Sequence, residues 1–158
     1  MGFRFFLVGI LGFSLVSCAG LSQISSNEVI RGVDIPRSDL NRIVEASLPL
    51  GRRLSQDQGR VFLSNYFAVG EGRGLIPADN LPERFFAEVA IVGDRRPYLV
   101  DIRVYKEVRR PQASGLARDS YQRRGSNKEF AQLVRQRIEM NLSQRREGFN
   151  LIDDFRAF

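Results

Sequence analysis

The sequence predicts an α+β fold, a two-layer sandwich in which two helices cover a small antiparallel sheet of about three strands. Residues 85–92 and 98–108 are rich in aromatic and β-branched residues, as strands are. Two other segments, one before and one after these strands, carry apolar residues at helical spacing. Because a small sheet needs its apolar face covered, the predicted order is α-β-β-β-α.

The first helix is predicted to begin at Pro36 and to end before Pro49, because the apolar residues between them follow helical spacing. A first strand is predicted over residues 61–69. Residues 70–83 contain three glycines and two prolines, and we interpret them as a loop. The Gly-Lys-Ser/Thr of a phosphate-binding loop is absent from that stretch.

The other two strands are predicted to form a long hairpin, because Gly93 to Pro97 supplies turn-forming residues between them. Apolar residues of the last strand share one parity, which predicts a half-buried strand with a core face and a wet face. The residues predicted to be buried are Tyr98, Val100, Ile102, Val104 and Val108.

The closing helix is predicted to begin at a capping box, residues 126–129, with Ser126 as the N-cap. Its apolar stripe comprises Phe130, Leu133, Val134, Ile138 and Leu142. Gly148 is predicted to end this helix. The tail, residues 149–158, is too apolar for a solvated end, so we expect it to dock on the body.

Composition limits the chemistry. The 158 residues suit one domain, and the formal net charge is +6. With no His and a single Cys, the chain lacks the residues for Cys–His or Ser–His catalysis and for the usual zinc or copper sites. We therefore predict a non-enzymatic protein with no cofactor and no metal.

The amino terminus has the pattern of an export signal. Arg4 precedes twelve residues without a charge, which is shorter than the roughly 20 residues of a membrane-spanning helix. Leu15-Val16-Ser17-Cys18 follows and resembles the lipobox of bacterial lipoproteins. An ordinary signal peptide with a chance Cys is the alternative.

The lipobox resemblance implies that Cys18 carries the lipid and that the signal is cut before it. Ala19, rather than Asp, follows the Cys, which in that family implies export to the outer membrane, with the domain facing the periplasm. The predicted organisation is a signal peptide at 1–17, a lipidated Cys and tether at 18–33, and one domain at 34–158.

Residues 109–125 are predicted to form a basic, irregular connection. Arginine forks bind phosphates well, and basic segments near a membrane are attracted to anionic lipid. The alternative is a solvated basic surface, because the chain has 22 Arg and two Lys throughout. A nucleic-acid partner is not expected outside the cytoplasm. The candidate contacts to anionic lipid, lipopolysaccharide or a protein partner are Arg109, Arg110, Arg118, Arg123 and Arg124.

The acidic residues offer one adjacent pair, Asp153-Asp154. Adjacent side chains diverge on a helix or a strand, so this pair is a weak candidate for shared acid–base work. Two distant carboxylates could still serve a glycan or lipid hydrolase, which we keep as the alternative function.

The layout is similar to that of the small lipoproteins that partner the lipopolysaccharide translocon of the outer membrane. The similarity covers mainly residues 85–143 and rests on element order. That family also has a strand before its first helix, for which this chain offers only residues 28–33. The resemblance implies an accessory or docking subunit of an envelope assembly or transport machine, anchored in the membrane and bound to an envelope protein.

Overall fold

One antiparallel sheet of eight strands dominates the computed structural model, which describes residues 27–110 and 120–154 and side chains as far as residue 145. The strands are β1 (Glu28–Val33), β2 (Arg52–Gln56), β3 (Val61–Ser64), β4 (Phe67–Val69), β5 (Leu75–Pro77), β6 (Glu83–Val92), β7 (Tyr98–Arg109) and β8 (Tyr121–Ser126). The helices are α1 (Arg37–Ser47) and α2 (Lys128–Asp154), with a 3-10 turn at Asp57–Gly59.

The hairpin of β6 and β7 forms the centre of the sheet, paired from Glu83↔Val108 to Val92↔Leu99. β1 and β8 share the other edge of β7: β1 pairs with its first half and β8 with its second half. β3 and β4 pair along the other edge of β6, and β2 and β5 lie outside them. The hairpin is therefore flanked on both sides, and β2 forms an outer edge.

Both helices pack on one face of this sheet. Leu40 and Val44 of α1, with Val134 and Ile138 of α2, belong to the same buried cluster as the central strands. The predicted buried parity of β7 is confirmed from Tyr98 to Val104, where alternate residues are at most 7% exposed. The opposite parity is half-buried rather than wet, because a second layer of side chains lies on that face.

The prediction of about three strands is wrong, since the described chain is mostly β. Strands β1, β2, β5 and β8 were not expected, and Asn65 and Tyr66 interrupt the strand predicted over residues 61–69. All five residues of β2 are exposed, so no apolar alternation marks it. Outer strands of this kind form because the backbone of the neighbouring strand supplies their hydrogen bonds, as β3 does for β2.

Three boundaries also differ from prediction. Residues 28–33, assigned above to the tether, form β1, which pairs with β7. Tyr121–Ser126 is a strand rather than an irregular connection. Gly148 does not end α2, which continues to Asp154. The docking predicted for the tail involves side chains outside the described residues.

The N-terminus of α2 is capped by Asn127 and not by Ser126. The Asn127 side-chain oxygen accepts a hydrogen bond of 2.9 Å from the backbone N–H of Phe130. Asn127 also continues the pairing pattern of the sheet edge, because its backbone N–H donates to the Val104 carbonyl at 2.8 Å. The cap therefore joins the helix to the central strand.

Replacing Asn127 by Ala is expected to destabilise the fold by about 1 kcal/mol, because one N–H of the first helical turn loses its acceptor. Chemical denaturation followed by circular dichroism measures the loss. Asn127→Ser is the matched control and should retain most of the stability, since a serine hydroxyl can also cap. Equal losses for the two variants would contradict the capping role.

Candidate functional site

The sheet face opposite the helices carries a layer of arginines and aromatic rings, which we call the arginine–tyrosine face. This face follows from strand alternation. In β6 and β7, the residues that alternate with those facing the helices project to this side of the sheet. Register places Arg84 beside Glu107 and Phe86 beside Tyr105. The face consists of Arg53, Tyr66, Arg84, Phe86, Tyr105, Glu107, Arg109, Tyr121 and Arg123.

Arg84 is the centre of this layer and is 9% exposed. Its guanidinium carbon lies 3.4 Å from the ring centroid of Tyr66 and 3.4 Å from that of Tyr121. Its Nη2 is 2.8 Å from Glu107 Oε2, and its Nε donates to the same oxygen at 2.9 Å. A cation stacked between two rings and paired with a carboxylate is held rigidly, so Arg84 organises the face rather than meeting a partner.

Tyr121 joins this layer to the loop after β5. Its hydroxyl lies 3.1 Å from the Asp79 carbonyl oxygen and 3.0 Å from that of Leu81. Arg109 donates to the Tyr121 hydroxyl and to the Asn80 carbonyl. Arg109 is therefore engaged in holding the loop against the sheet.

Two further arginines form the outer part of the face. Arg123 is exposed, and its guanidinium carbon lies 4.4 Å from the Tyr105 ring centroid and 5.0 Å from that of Phe86. Arg53, also exposed, lies 4.2 Å from the Tyr66 ring centroid and donates to the Tyr66 hydroxyl at 3.0 Å. These cations present charge to solvent over an aromatic surface.

The carboxylates of this side of the sheet are engaged. Glu107 pairs with Arg84, and Asp101 lies 2.5 Å from Arg103. The neighbouring Tyr105 hydroxyl and the Asp101 carboxylate raise the pKa of Arg103, so this cation stays charged at every accessible pH. Carboxylates neutralised by arginines suit binding better than proton transfer.

In residues 27–110 and 120–154, no group of three or more acidic or thiol side chains is placed to hold a metal ion. Within that part of the chain, neither helix is both long and apolar enough to cross a bilayer.

The chain matches no family model, no curated protein and no solved structure.

The structure separates the arginines that the sequence grouped together. Arg109 and Arg123 belong to the arginine–tyrosine face. Arg110 donates to the Gln122 side chain at 3.3 Å, and Arg124 is exposed. Arg118 and the lipidation candidate Cys18 lie outside the described residues. Arg109 and Arg123 therefore pack against aromatic rings as well as carrying charge.

Of the nine members of the face, the sequence selected only Arg109 and Arg123 as site residues. Arg53 lies in an exposed strand with no apolar pattern, and Tyr66 lies at a break between strands. Arg84 and Phe86 could have been found, because they share the parity of β6 opposite to Ala87 and Val89. Once the β6–β7 register is known, this alternation predicts that large side chains also cover the sheet face opposite the helices.

Proposed function

We propose that this protein is a lipoprotein of the outer membrane that serves as a non-catalytic docking subunit of an envelope assembly or transport machine. The arginine–tyrosine face carries this proposal. It is a sheet face that neither helix covers, and arginine with tyrosine is the pairing enriched where protein interfaces concentrate their binding energy. Arg84 forms its buried centre and shares the Tyr66 ring with the exposed Arg53.

The anchor supports the same proposal. Nine residues, 19–27, separate Cys18 from β1, so the lipidated end can lie at most about 30 Å from the fold. The tether is shorter than predicted, because it ends at residue 27 and not at residue 33. A domain held this closely meets partners embedded in, or bound to, its own membrane.

A hydrolase needs two carboxylates that converge without a neutralising cation between them. One cavity beside α2 does carry two, Glu28 and Glu139. Arg135 lies between them, with Nη1 3.0 Å from Glu28 and Nε 2.9 Å from Glu139. Both carboxylates raise the pKa of Arg135, and the largest cause is the hydrogen bond that Arg135 donates to Glu139, so the three groups form an ion-pair network. This arrangement favours docking over hydrolysis.

The proposed partner is an envelope protein. The lipopolysaccharide translocon is the first candidate to test, because the element order resembles that of its lipoprotein partners. Among the described residues, exposed Arg110 and Arg124 remain candidates for contact with anionic lipid, and Arg118 stays a candidate outside them.

Docking can be tested on the native lipidated protein released from membranes in mild detergent. We expect it to sediment as a complex heavier than the chain alone. The Arg53→Gln/Arg123→Gln double variant should sediment as the free chain while its melting temperature shows that it is folded. Gln132→Ala/Gln136→Ala, on the exposed side of α2, is the matched control and should leave the complex intact. A complex that survives the arginine changes would overturn the proposed face.

The anchor has its own test. Cys18→Ser should yield a precursor that incorporates no labelled fatty acid and is not processed, because the thiol that carries the lipid is gone. Metabolic labelling followed by electrophoresis measures both properties. Normal labelling of this variant would exclude Cys18 as the lipid anchor.

A further inference from the structure

An apolar groove lies between the β4–β5 hairpin and the first turns of α2, away from the arginine–tyrosine face, and we call it the α2 groove. Its volume is about 260 Å³. Two arginines, Arg73 and Arg137, line the groove together with Pro49 and Gly74. The large apolar side chains of its lining are Phe67, Val69, Leu75, Phe130, Leu133 and Val134. None of its lining residues is acidic.

The helix contributes one continuous stripe to this groove. Phe130, Leu133, Val134 and Arg137 follow the spacing of a single helical face. Leu133 belongs to the predicted apolar stripe of this helix, yet it is 48% exposed, as is Val69 across the groove. Two large aliphatic side chains therefore remain half in water beside a floor formed by buried Phe67.

The two arginines give the groove a charge preference. Neither Arg73 nor Arg137 forms an ion pair with the acidic side chains of the described residues. Two cations on an apolar lining without a carboxylate favour an anionic ligand with an apolar body. A guanidinium binds a carboxylate through two parallel hydrogen bonds.

The backbone at Arg73 supports a ligand role. Arg73 has φ 60°, a left-handed conformation that glycine adopts at lower cost, and it lies in the turn closed by Gly70 and Gly74. A side chain at this position is not required by the turn itself. What the side chain adds is a charge at the groove.

We propose that the α2 groove binds a single-chain fatty acid, with the alkyl chain against Leu75, Phe130 and Leu133 and the carboxylate between Arg73 and Arg137. The volume lies just below the roughly 300 to 1,000 Å³ of pockets for drug-sized ligands, so it suits a slender chain rather than a ring system. This site is separate from the docking face and does not depend on it.

The test uses the full lipidated chain in nanodiscs of zwitterionic lipid and a decanoic acid that carries a photoreactive diazirine near its methyl end. After illumination, mass spectrometry should place the adduct on groove residues such as Leu75 or Leu133. Unlabelled decanoate should compete, and decanol should compete at least tenfold less well, because it lacks the charge that the arginines bind.

Variants separate the ligand role from a structural one. Arg73→Gly should leave the melting temperature unchanged or raised, since glycine accepts the backbone conformation, yet it should lower labelling about tenfold. Arg137→Gln should lower labelling to a similar extent. Arg95→Gln, an exposed cation at the opposite end of the β6–β7 hairpin, is the matched control and should label normally.

Three outcomes would overturn the proposal: equal competition by decanol and decanoate, labelling that is unchanged by Arg73→Gly and Arg137→Gln, or adducts distributed over the surface. A protein-to-protein adduct through Leu133 in place of fatty-acid labelling would also overturn it, because the groove would then be an interface.

Discussion

Ile102→Asp is expected to unfold the protein. Ile102 is 0% exposed at the centre of β7, between β6 and β1, and it packs among residues of both helices. The cluster around it is hydrophobic and contains no cationic side chain, so a carboxylate there would be buried without an ion-pair partner. The expected loss is about 4 kcal/mol or more, which is a large part of the 5–15 kcal/mol that stabilises an ordinary domain.

The matched control is the adjacent position. Arg103 projects to the opposite face, and its side chain is 38% exposed. Arg103→Gln removes a partly exposed ion pair and should cost about 1 kcal/mol or less. Denaturant unfolding monitored by circular dichroism compares the two variants. Similar losses at the two positions would show that the faces of β7 are assigned incorrectly.

Arg84→Met is expected to be the most destabilising change on the arginine–tyrosine face. It leaves the Glu107 carboxylate, whose side chain is 12% exposed, without its cation, and it removes the group stacked between Tyr66 and Tyr121. Breaking one partner of a buried ion pair costs about 3–5 kcal/mol. Met keeps an unbranched stem of similar reach, so the loss measures the charge and its stacking.

A second substitution identifies the cause of that loss. In the Arg84→Met/Glu107→Leu variant no unpaired carboxylate remains, so we expect it to be about 2 kcal/mol more stable than Arg84→Met alone. Thermal and chemical unfolding of the wild type, both single variants and the double variant complete the cycle. If the two single losses simply add, the ion pair is not the interaction that organises the face.

Local patterns in the sequence predicted most of the elements that bury apolar side chains, although β1, which buries Ile30 and Val33, was missed. The alternation from Tyr98 to Val104, the hairpin turn and the helical spacing after Pro36 each predicted an element that the structure contains. These signals are strong because each such element buries one face, and that burial determines which residue types occupy it.

The outer strands left no comparable signal. β2 is exposed along its whole length, and β8 reads Tyr-Gln-Arg-Arg-Gly-Ser, a polar segment that pairs with β7 through its backbone. Pairing of this kind depends on a neighbour distant in the chain, which local periodicity does not reveal. The count of strands, and hence the fold class, was wrong for this reason.

The candidate site was partly predictable for the same physical reason. Arg109 and Arg123 were chosen as candidates because they lie in an arginine-rich segment, and both lie on the arginine–tyrosine face. Local charge density does not identify Arg53 or Arg84, because the tyrosine rings and the carboxylate that they contact are distant in the sequence. The aromatic ring over which an arginine lies can be predicted only when the register of the sheet is known.

Docking of an envelope protein on the arginine–tyrosine face is the proposal to be tested, and register places Leu54 of β2 on the same side of the sheet. Site-specific photocrosslinking in intact cells tests it most directly, with a photoreactive residue at position 123 or at Leu54, which is 44% exposed on the outer strand. Positions 132 and 136 of α2 are the matched exposed controls. If this face docks an envelope protein, positions 123 and 54 should each give one discrete adduct with it, and the control positions should give none. Adducts only from α2, or equal adducts from all four positions, would contradict it.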